Sequence, residues 1–438
     1  MTSLWKNTVS FPSFPRLENS LNTDVLIIGG GLAGLLCAYT LAQEGIHYVL
    51  VEADAICGKT TGNTTAKITF QHGLIYHRLI DTVGLEKAKM YLEANRAALE
   101  SYRLLCDTID CDFTTQDAIV YSLDDPQKIE QECIAYQQLG VQAEYLDTLP
   151  LPFPVAGAVR LQNHAQLHPL KLAAALSAQL NIYEHTPVLS YDGQRVITPY
   201  GHITASRIIV ATHFPMFNKH GAFFLKMYQH RSYVIALENA ADLQGMYVDE
   251  KDSGLSFRTQ GRYLLLGGGS HRTGIAGGNW TELRRIASQY YPGAKEAFSW
   301  AAQDCMTLDG IPYIGEYSKN TPHLYVATGF QKWGFTSAMA ASKILCDLIQ
   351  GHNNCFADVF SPQRTMLHPQ LIKNILESGI HLLTPTKPRC PHLGCALKWN
   401  PQEHSWDCPC HGSRFTEEGI ILENPANSNG IWNQKKKK

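Results

Sequence analysis

The chain has 438 residues, 45% of them hydrophobic and 17% charged, with 37 basic against 39 acidic side chains and a net charge of −2. That length exceeds what one hydrophobic core organises, so two or three domains are expected. A near-zero charge implies no polyanionic partner, and no nucleic-acid role is expected.

In chain order, residues 1–22 read as an irregular leader with two prolines and no apolar secretory core. Asp24–Glu52 reads as strand–helix–strand, residues 74–107 as helical, and residues 111–157 as short strands with a helix. "AQLHPLKLAAALSAQL" (165–180) predicts a helix, and "VITPYGHITASRIIVAT" (196–212) a hairpin running into a buried strand. Residues 228–300 are rich in strand patterns, "HLYVATGF" (323–330) is a further buried strand, and "TSAMAASKILCDLIQ" (336–350) is a helix. Segment 362–388 reads as helix plus turn, and the run Lys435–Lys438 as a solvated end. No apolar stretch is clean enough to predict a membrane span. Of the twelve cysteines, eight lie singly between Cys37 and Cys355, as in reduced interiors, so a cytoplasmic location is expected.

The first unit carries chemistry. In "DVLIIGGGLAGLLCAYTLAQEGIHYVLVEA", Gly29, Gly31 and Gly34 follow a buried strand and open a helix. Gly29 permits the tight turn, Gly31 lets backbone approach a pyrophosphate, and Gly34 lets helix and strand pack closely. The helix N-terminus then receives the anion. Glu52 ends the second strand, eighteen residues after Gly34, where an acid meets ribose hydroxyls. A dinucleotide site follows. The hydroxyl-rich "GKTTGNTTAKITFQHG" (58–73), the strand end "VATHFP" and the strand–turn–helix "LYVATGFQKWGFTSA" favour FAD over NAD, because a helix starting at Thr336 can face the flavin pyrimidine.

With "LDGIPYIG" (308–315), these features resemble the D-amino-acid oxidase family of FAD-dependent oxidoreductases over about residues 22–352. The resemblance implies an α/β chain, α+β overall. A Rossmann-like FAD domain (about 22–95, 158–226, 300–352) is interleaved with a mostly antiparallel substrate domain (about 96–157, 227–299). It further implies FAD contacts at Gly29, Gly31, Gly34, Glu52, Thr61, Gly62 and Thr64, with the Val188 backbone at the adenine and Gly329, Gly334 and Thr336 near the flavin. Family members oxidise C–N bonds of amines or amino acids by hydride transfer. No shared catalytic base is implied. The candidates are His72, His230, Arg231, Arg258 and Lys332, the arginines as clamps for a substrate carboxylate. For each, an ordinary structural role is the competing reading.

Near the end, "RCPHLGC" and "CPCHGS" present Cys390-x-His392 and Cys408-x-x-His411, with fifteen residues between His392 and Cys408. Two thiolates for one iron and two imidazoles for the other describe a Rieske [2Fe–2S] centre. Zinc is the rival, although zinc sites usually open with two cysteines. Resemblance to Rieske proteins of the cytochrome bc type implies a disulfide between Cys395 and Cys410, with two free thiols as the alternative. It also implies a hydrogen bond from Ser413 to cluster sulfur. Residues 389–432 would form a small all-β cluster-binding subdomain after a 353–388 linker. Its base strands are missing, so close docking onto the flavoprotein body is expected.

The combined expectation is an FAD-dependent dehydrogenase. It would oxidise a small amine or amino acid, pass electrons singly to the cluster, and use an external one-electron acceptor or donor protein. A simple oxidase needs no cluster. The rival readings are a cluster-fed flavin reductase running the other way and a non-catalytic redox sensor or carrier.

Overall fold

The computed structural model describes residues 2–385 and 388–430. The lysine run and residues 431–432 of the cluster segment lie outside them, as do residues 386–387 of the linker. The strand Leu21–Ile28 lies at the centre of an eight-stranded sheet. Tyr48–Val51 runs parallel on one side and Gly201–Val210 on the other, followed by Leu324–Thr328 and the antiparallel edge Tyr313–Glu316. The runs "VLII" and "YVLV" are buried throughout, as a parallel sheet covered on both faces requires. Helix Leu32–Gln43 packs against helix Gly334–Ile349 on one face.

A second, nine-stranded sheet runs Lys295–Thr307, Met227–Glu238, Tyr263–Arg272, Ser256–Gln260, Met246–Asp249, Thr114–Ser122, Gly157–Gln166 and Lys67–Ile68, with Glu144–Leu146 paired to Gly157–Gln166. It is mostly antiparallel, and the chain passes between the two sheets repeatedly.

Two local readings change. The helix expected over 165–180 spans only Pro169–Ser177, since residues up to Gln166 extend a strand. Pro169 lacks the N–H that a helix interior needs, and it sits at the first turn behind the His168 cap. The strand-rich 228–300 segment also holds helix Trp280–Tyr290, started by Asn279 accepting from the Thr281 N–H at 2.7 Å. The leader is irregular, as expected, and it buries Trp5 completely.

The C-terminal lobe is a four-stranded antiparallel sheet of Lys398–Asn400, Ser405–Asp407, Arg414–Phe415 and Ile421–Glu423. Its interior consists of Cys390, Cys395, Leu397, Cys408, Cys410, Phe415 and Ala426. Helix Pro369–Leu383 joins it to the body. Among the described residues no helix is long and apolar enough to cross a membrane.

Candidate active site and metal centre

A cavity of about 1070 Å³ opens at the C-terminal ends of the parallel strands. Gly29 turns at φ +112°, and a Cβ there would meet the Ala211 carbonyl oxygen at 2.6 Å. A Cβ on Gly34 would fall 1.9 Å from the Gly29 oxygen, so helix and turn touch only because residue 34 is glycine. Glu52 is fixed at its strand end, accepting from the Gly30 N–H at 2.7 Å and the Asp54 N–H at 2.9 Å. Thr61 Oγ1 accepts from the Leu32 N–H at 3.0 Å, tying the threonine loop to the helix start. The leader fastens the same loop from outside: Ser3 donates to Gly62 O at 2.5 Å, the Trp5 indole to Thr64 O at 2.7 Å and Lys6 to Gly58 O at 2.9 Å. These contacts give the buried leader its role, which composition did not reveal.

Gly29, Gly31, Glu52, Thr61, Thr64, Val188, Gly329 and Gly334 all line the cavity. Gly34 and Gly62 stand behind its wall as packing glycines, and the Gly62 Cβ position lies 2.6 Å from Cys57 O. Thr336 turns away and bonds Thr69 O at 3.1 Å and His72 Nε2 at 3.0 Å.

His72 faces the cavity and stacks on Trp333 with ring centroids 5.1 Å apart. Its Nε2 donates to Thr69 O at 2.8 Å and its Nδ1 accepts from the Tyr91 hydroxyl at 2.6 Å. Burial lowers its pKa to about 3, so the ring is neutral. Lys332 lines the wall and donates to Asp252 O at 3.0 Å. The two arginine candidates lie elsewhere. Arg258 is fully buried and donates to Ala66 O at 2.7 Å and to the Gln260 side chain. Arg231 is gripped by Glu403 of the C-terminal lobe. His230 does not line the main cavity but a smaller one beside it. Asp304, not singled out from the sequence, lines the main cavity, and burial lifts its pKa to about 7 against the pull of Lys332 and Arg231. A lone acid inside the buried run "SWAAQDCMT" was the available clue.

The two loops of the metal centre repeat one geometry. Gly394 N–H donates to Cys390 O and Gly412 N–H to Cys408 O, each at 2.9 Å, with both glycines at positive φ. The His392 and His411 rings stand edge to face, centroids 4.9 Å apart. His411 Nε2 donates to Phe224 O at 3.0 Å, and His392 Nε2 lies 2.9 Å from Asn218 Oδ1. A carbonyl can only accept, so His411 keeps a bare Nδ1 lone pair. Both Nδ1 atoms are buried without a partner, which is the donor arrangement a metal needs. Burial also holds both imidazoles neutral. The Cys390 thiol interacts with Cys408 and Ser413, and the sulfurs of Cys395, Cys408 and Cys410 lie within 4.8 Å of one another. Cys395 and Cys410 are unbridged here, so the implied disulfide is not formed in this structure.

The two sites share a wall. Ile420, Ile421, Glu423, Asn424, Pro425 and Ala426 of the lobe line the main cavity beside Ala211, Thr212 and His213. Asn424 donates to Thr212 O and to Phe214 O. Phe214, fully buried, stands edge-on to His392 at 6.3 Å and to His411 at 6.1 Å. Gln229 donates to His411 O at 2.6 Å and Asn424 O at 3.0 Å, while Gln303 donates to Gly412 O at 2.8 Å.

Residues 24–348 match the family model of FAD dependent oxidoreductases (DAO). The chain belongs to that family. Residues 381–434 of this FAD-dependent oxidoreductase match the Rieske [2Fe-2S] domain, so its cofactors are FAD and a [2Fe–2S] cluster. It is 35% identical to the Rieske 2Fe-2S iron-sulfur protein YhfW of Bacillus subtilis (strain 168), over 96% of this chain and 95% of that protein. It is 25% identical to the gamma-glutamylputrescine oxidoreductase of Escherichia coli (strain K12), over 80% of this chain and 89% of that one. Among solved structures, L-proline dehydrogenase from P. horikoshii superposes with a TM-score of 0.66 at 16% identity, over 80% of this chain and 98% of that one. Glycine oxidase from Geobacillus kaustophilus gives 0.65 at 21% identity, over 79% and 99%. These two likenesses establish the fold.

Proposed function

We propose that the protein is an FAD-dependent dehydrogenase that oxidises a C–N bond of a small amine or amino acid and delivers the electrons singly, through its own Rieske centre, to an external one-electron acceptor. Bound FAD supplies a two-electron acceptor for hydride and the [2Fe–2S] cluster a one-electron carrier. The observation that carries this reading is the shared wall: residues 420–426 of the cluster lobe line the cavity that Gly29, Glu52 and Gly329 also line. No domain movement is needed to bring the two sites together. The gamma-glutamylputrescine oxidoreductase likeness supports an amine or amino-acid substrate.

In this reading Cys390, Cys408, His392 and His411 are the cluster ligands. Asn218 and Phe224 O fix the orientation of the two imidazoles. Phe214 fills the gap between those rings and the cavity wall and keeps water out of it. Cys395 and Cys410 would clamp the two loops on oxidation. His72, neutral and stacked on Trp333, orients the ring-facing wall without acting as a charged acid. Asp304 is the group placed to take up or hold a proton of a substrate ammonium.

The test is anaerobic titration of the holoprotein with a panel of amines and amino acids, followed by optical and EPR spectra. Bleaching of the flavin band together with a cluster signal is expected. Flavin bleaching that never reaches the cluster would overturn the intramolecular route. No reduction by any member of the panel, with dithionite reducing both centres, would overturn the substrate class.

A further inference from the structure

The main cavity has two walls. The ends of the parallel strands bring Gly29, Glu52 and Gly329 to one side, and the antiparallel sheet brings Ser232, Ala302 and Asp304 to the other. The nucleotide turn belongs to the first wall, which leaves the second for substrate. In the register of the second sheet His230 pairs with Asp304 and Ser232 with Ala302, so these four share one face. Arg231, between His230 and Ser232, turns to the other face, where Glu403 grips it.

Among the described residues the Asp304 carboxylate makes no hydrogen bond and no ion pair. The cations whose charge reaches it are Lys332 and Arg231, and each already has a carboxylate partner: Arg231 has Glu403, and Lys332 lies 3.6 Å from Asp252. His230, directly across from Asp304, is held neutral by burial and by Lys332. The remaining bases of the cavity lining are no better placed. Lys59 pairs with Asp54 beside Glu52, and Lys251 pairs with Asp124. Lys67 donates to Thr65 Oγ1 at 3.3 Å, and burial pushes its ammonium down to about 7. Arg78 is exposed, beside Gly310. Arg258 is committed to Ala66 O and Gln260.

We propose that Asp304 sets the substrate class: it receives a substrate ammonium, and the substrate is an amine with no carboxylate on the carbon that is oxidised. This inference rests on the C–N reading above and narrows it. Recognition of an α-amino acid calls for a cation to hold the carboxylate, best an arginine fork. Here a carboxylate one carbon from the ammonium would be brought against Asp304 with no free cation to take it, and like charges held together are strongly disfavoured. A simple ammonium meets the opposite situation, an unpaired acid in a cavity wall.

The experiment is anaerobic stopped-flow reduction of the holoprotein flavin by matched pairs that differ only in that carboxylate: phenethylamine and phenylalanine, cadaverine and lysine, isoamylamine and leucine. At least one amine is expected to bleach the flavin about a hundredfold faster than its amino acid. Asp304→Asn should cut that preference by about tenfold or more, and Asp304→Glu should keep it. The preference of the parent protein decides the substrate class by itself, so the test survives a variant that loses flavin. An amino acid that reduces the flavin as fast as its amine overturns this inference and leaves the C–N reading standing. An amine preference that Asp304→Asn leaves unchanged overturns the role of Asp304. No reduction by any pair, with dithionite reducing both centres, overturns the C–N reading and this inference with it.

Discussion

The body and the cluster lobe are held together by opposite means. The body buries long apolar runs such as "VLII" and "YVLV" in a doubly covered sheet, and its helices close over them. The lobe's buried hydrophobic cluster holds seven residues, four of them cysteine. What holds it in place is polar: Arg231 and Tyr233 on Glu403, Arg272 on Pro409 O and Cys410 O, and Gln229 and Gln303 on the second ligand loop. A unit this small cannot supply its own hydrophobic stability, so it borrows order from the surface it docks on. The body should therefore fail by clashes inside it, and the lobe by loss of its attachments.

The largest effect belongs to the body. Gly34→Ala forces a Cβ to within 1.9 Å of the Gly29 oxygen, which neither backbone can yield without opening the turn. The purified protein should lack flavin absorbance at 450 nm, and a variant that retains stoichiometric FAD would show that the turn is looser than drawn. Next in size is Glu403→Ala. It leaves Arg231 charged, buried and without its carboxylate partner, while Arg414 keeps Asp407 at 2.9 Å, and the loss of the Arg231 pair costs about 3–5 kcal/mol. Limited proteolysis should release the lobe at 353–388 from this variant and not from the parent. The exposed pair Arg284–Glu296 is the control, expected to contribute about 0–1 kcal/mol.

The same contrast explains what could be read from the sequence. The nucleotide turn was legible because glycine spacing, a buried strand and a terminal acid are local, and each demands a particular backbone. The Rieske domain was legible for the same reason, and residues 381–434 match its family model. The docking surface was not. Arg231 looked like a carboxylate clamp because nothing near it in sequence reveals Glu403, 172 residues away. The stapling leader escaped notice because Trp5 and Thr64 meet only in three dimensions. Phe214 followed a recognised strand-end motif, yet its position against His392 and His411 depends on how the lobe seats.

A subtler break lies at the shared wall. Asn424→Ala removes the donor to Thr212 O and Phe214 O and trims one side chain from the shared wall. The loss of about 1 kcal/mol should loosen the 420–426 segment and speed FAD release roughly fivefold. Dialysis followed by flavin quantitation measures this without reference to turnover. Unchanged retention would mean that the lobe merely touches the cavity.

A further contrast is in pH, where the two regions should differ in sign. Burial alone would raise the Glu403 pKa, but Arg231 and Arg414 outweigh it and hold the carboxyl at about 2, below its ordinary 4.5. Between those values the unfolded chain binds the proton and the folded one does not, so stability rises as pH goes from about 2 to 4.5 and is lost on acidification. Asp304 behaves oppositely. Its carboxyl is raised from 3.8 to about 7 by burial, so the folded chain holds a proton that the unfolded chain has released, and stability falls across that interval. Buried histidines such as His72, lowered from 6.5 to about 3, add a rise of their own over the same range, so the two signs are read as differences between parent and variant thermal melts. Glu403→Gln should flatten the rise between about 2 and 4.5, and Asp304→Asn should gain on the parent between 3.8 and about 7. If Asp304→Asn gains nothing on the parent there, the proton uptake belongs to another buried carboxyl, such as Glu132, also raised to about 7, and Asp304 is not the residue that handles a substrate ammonium.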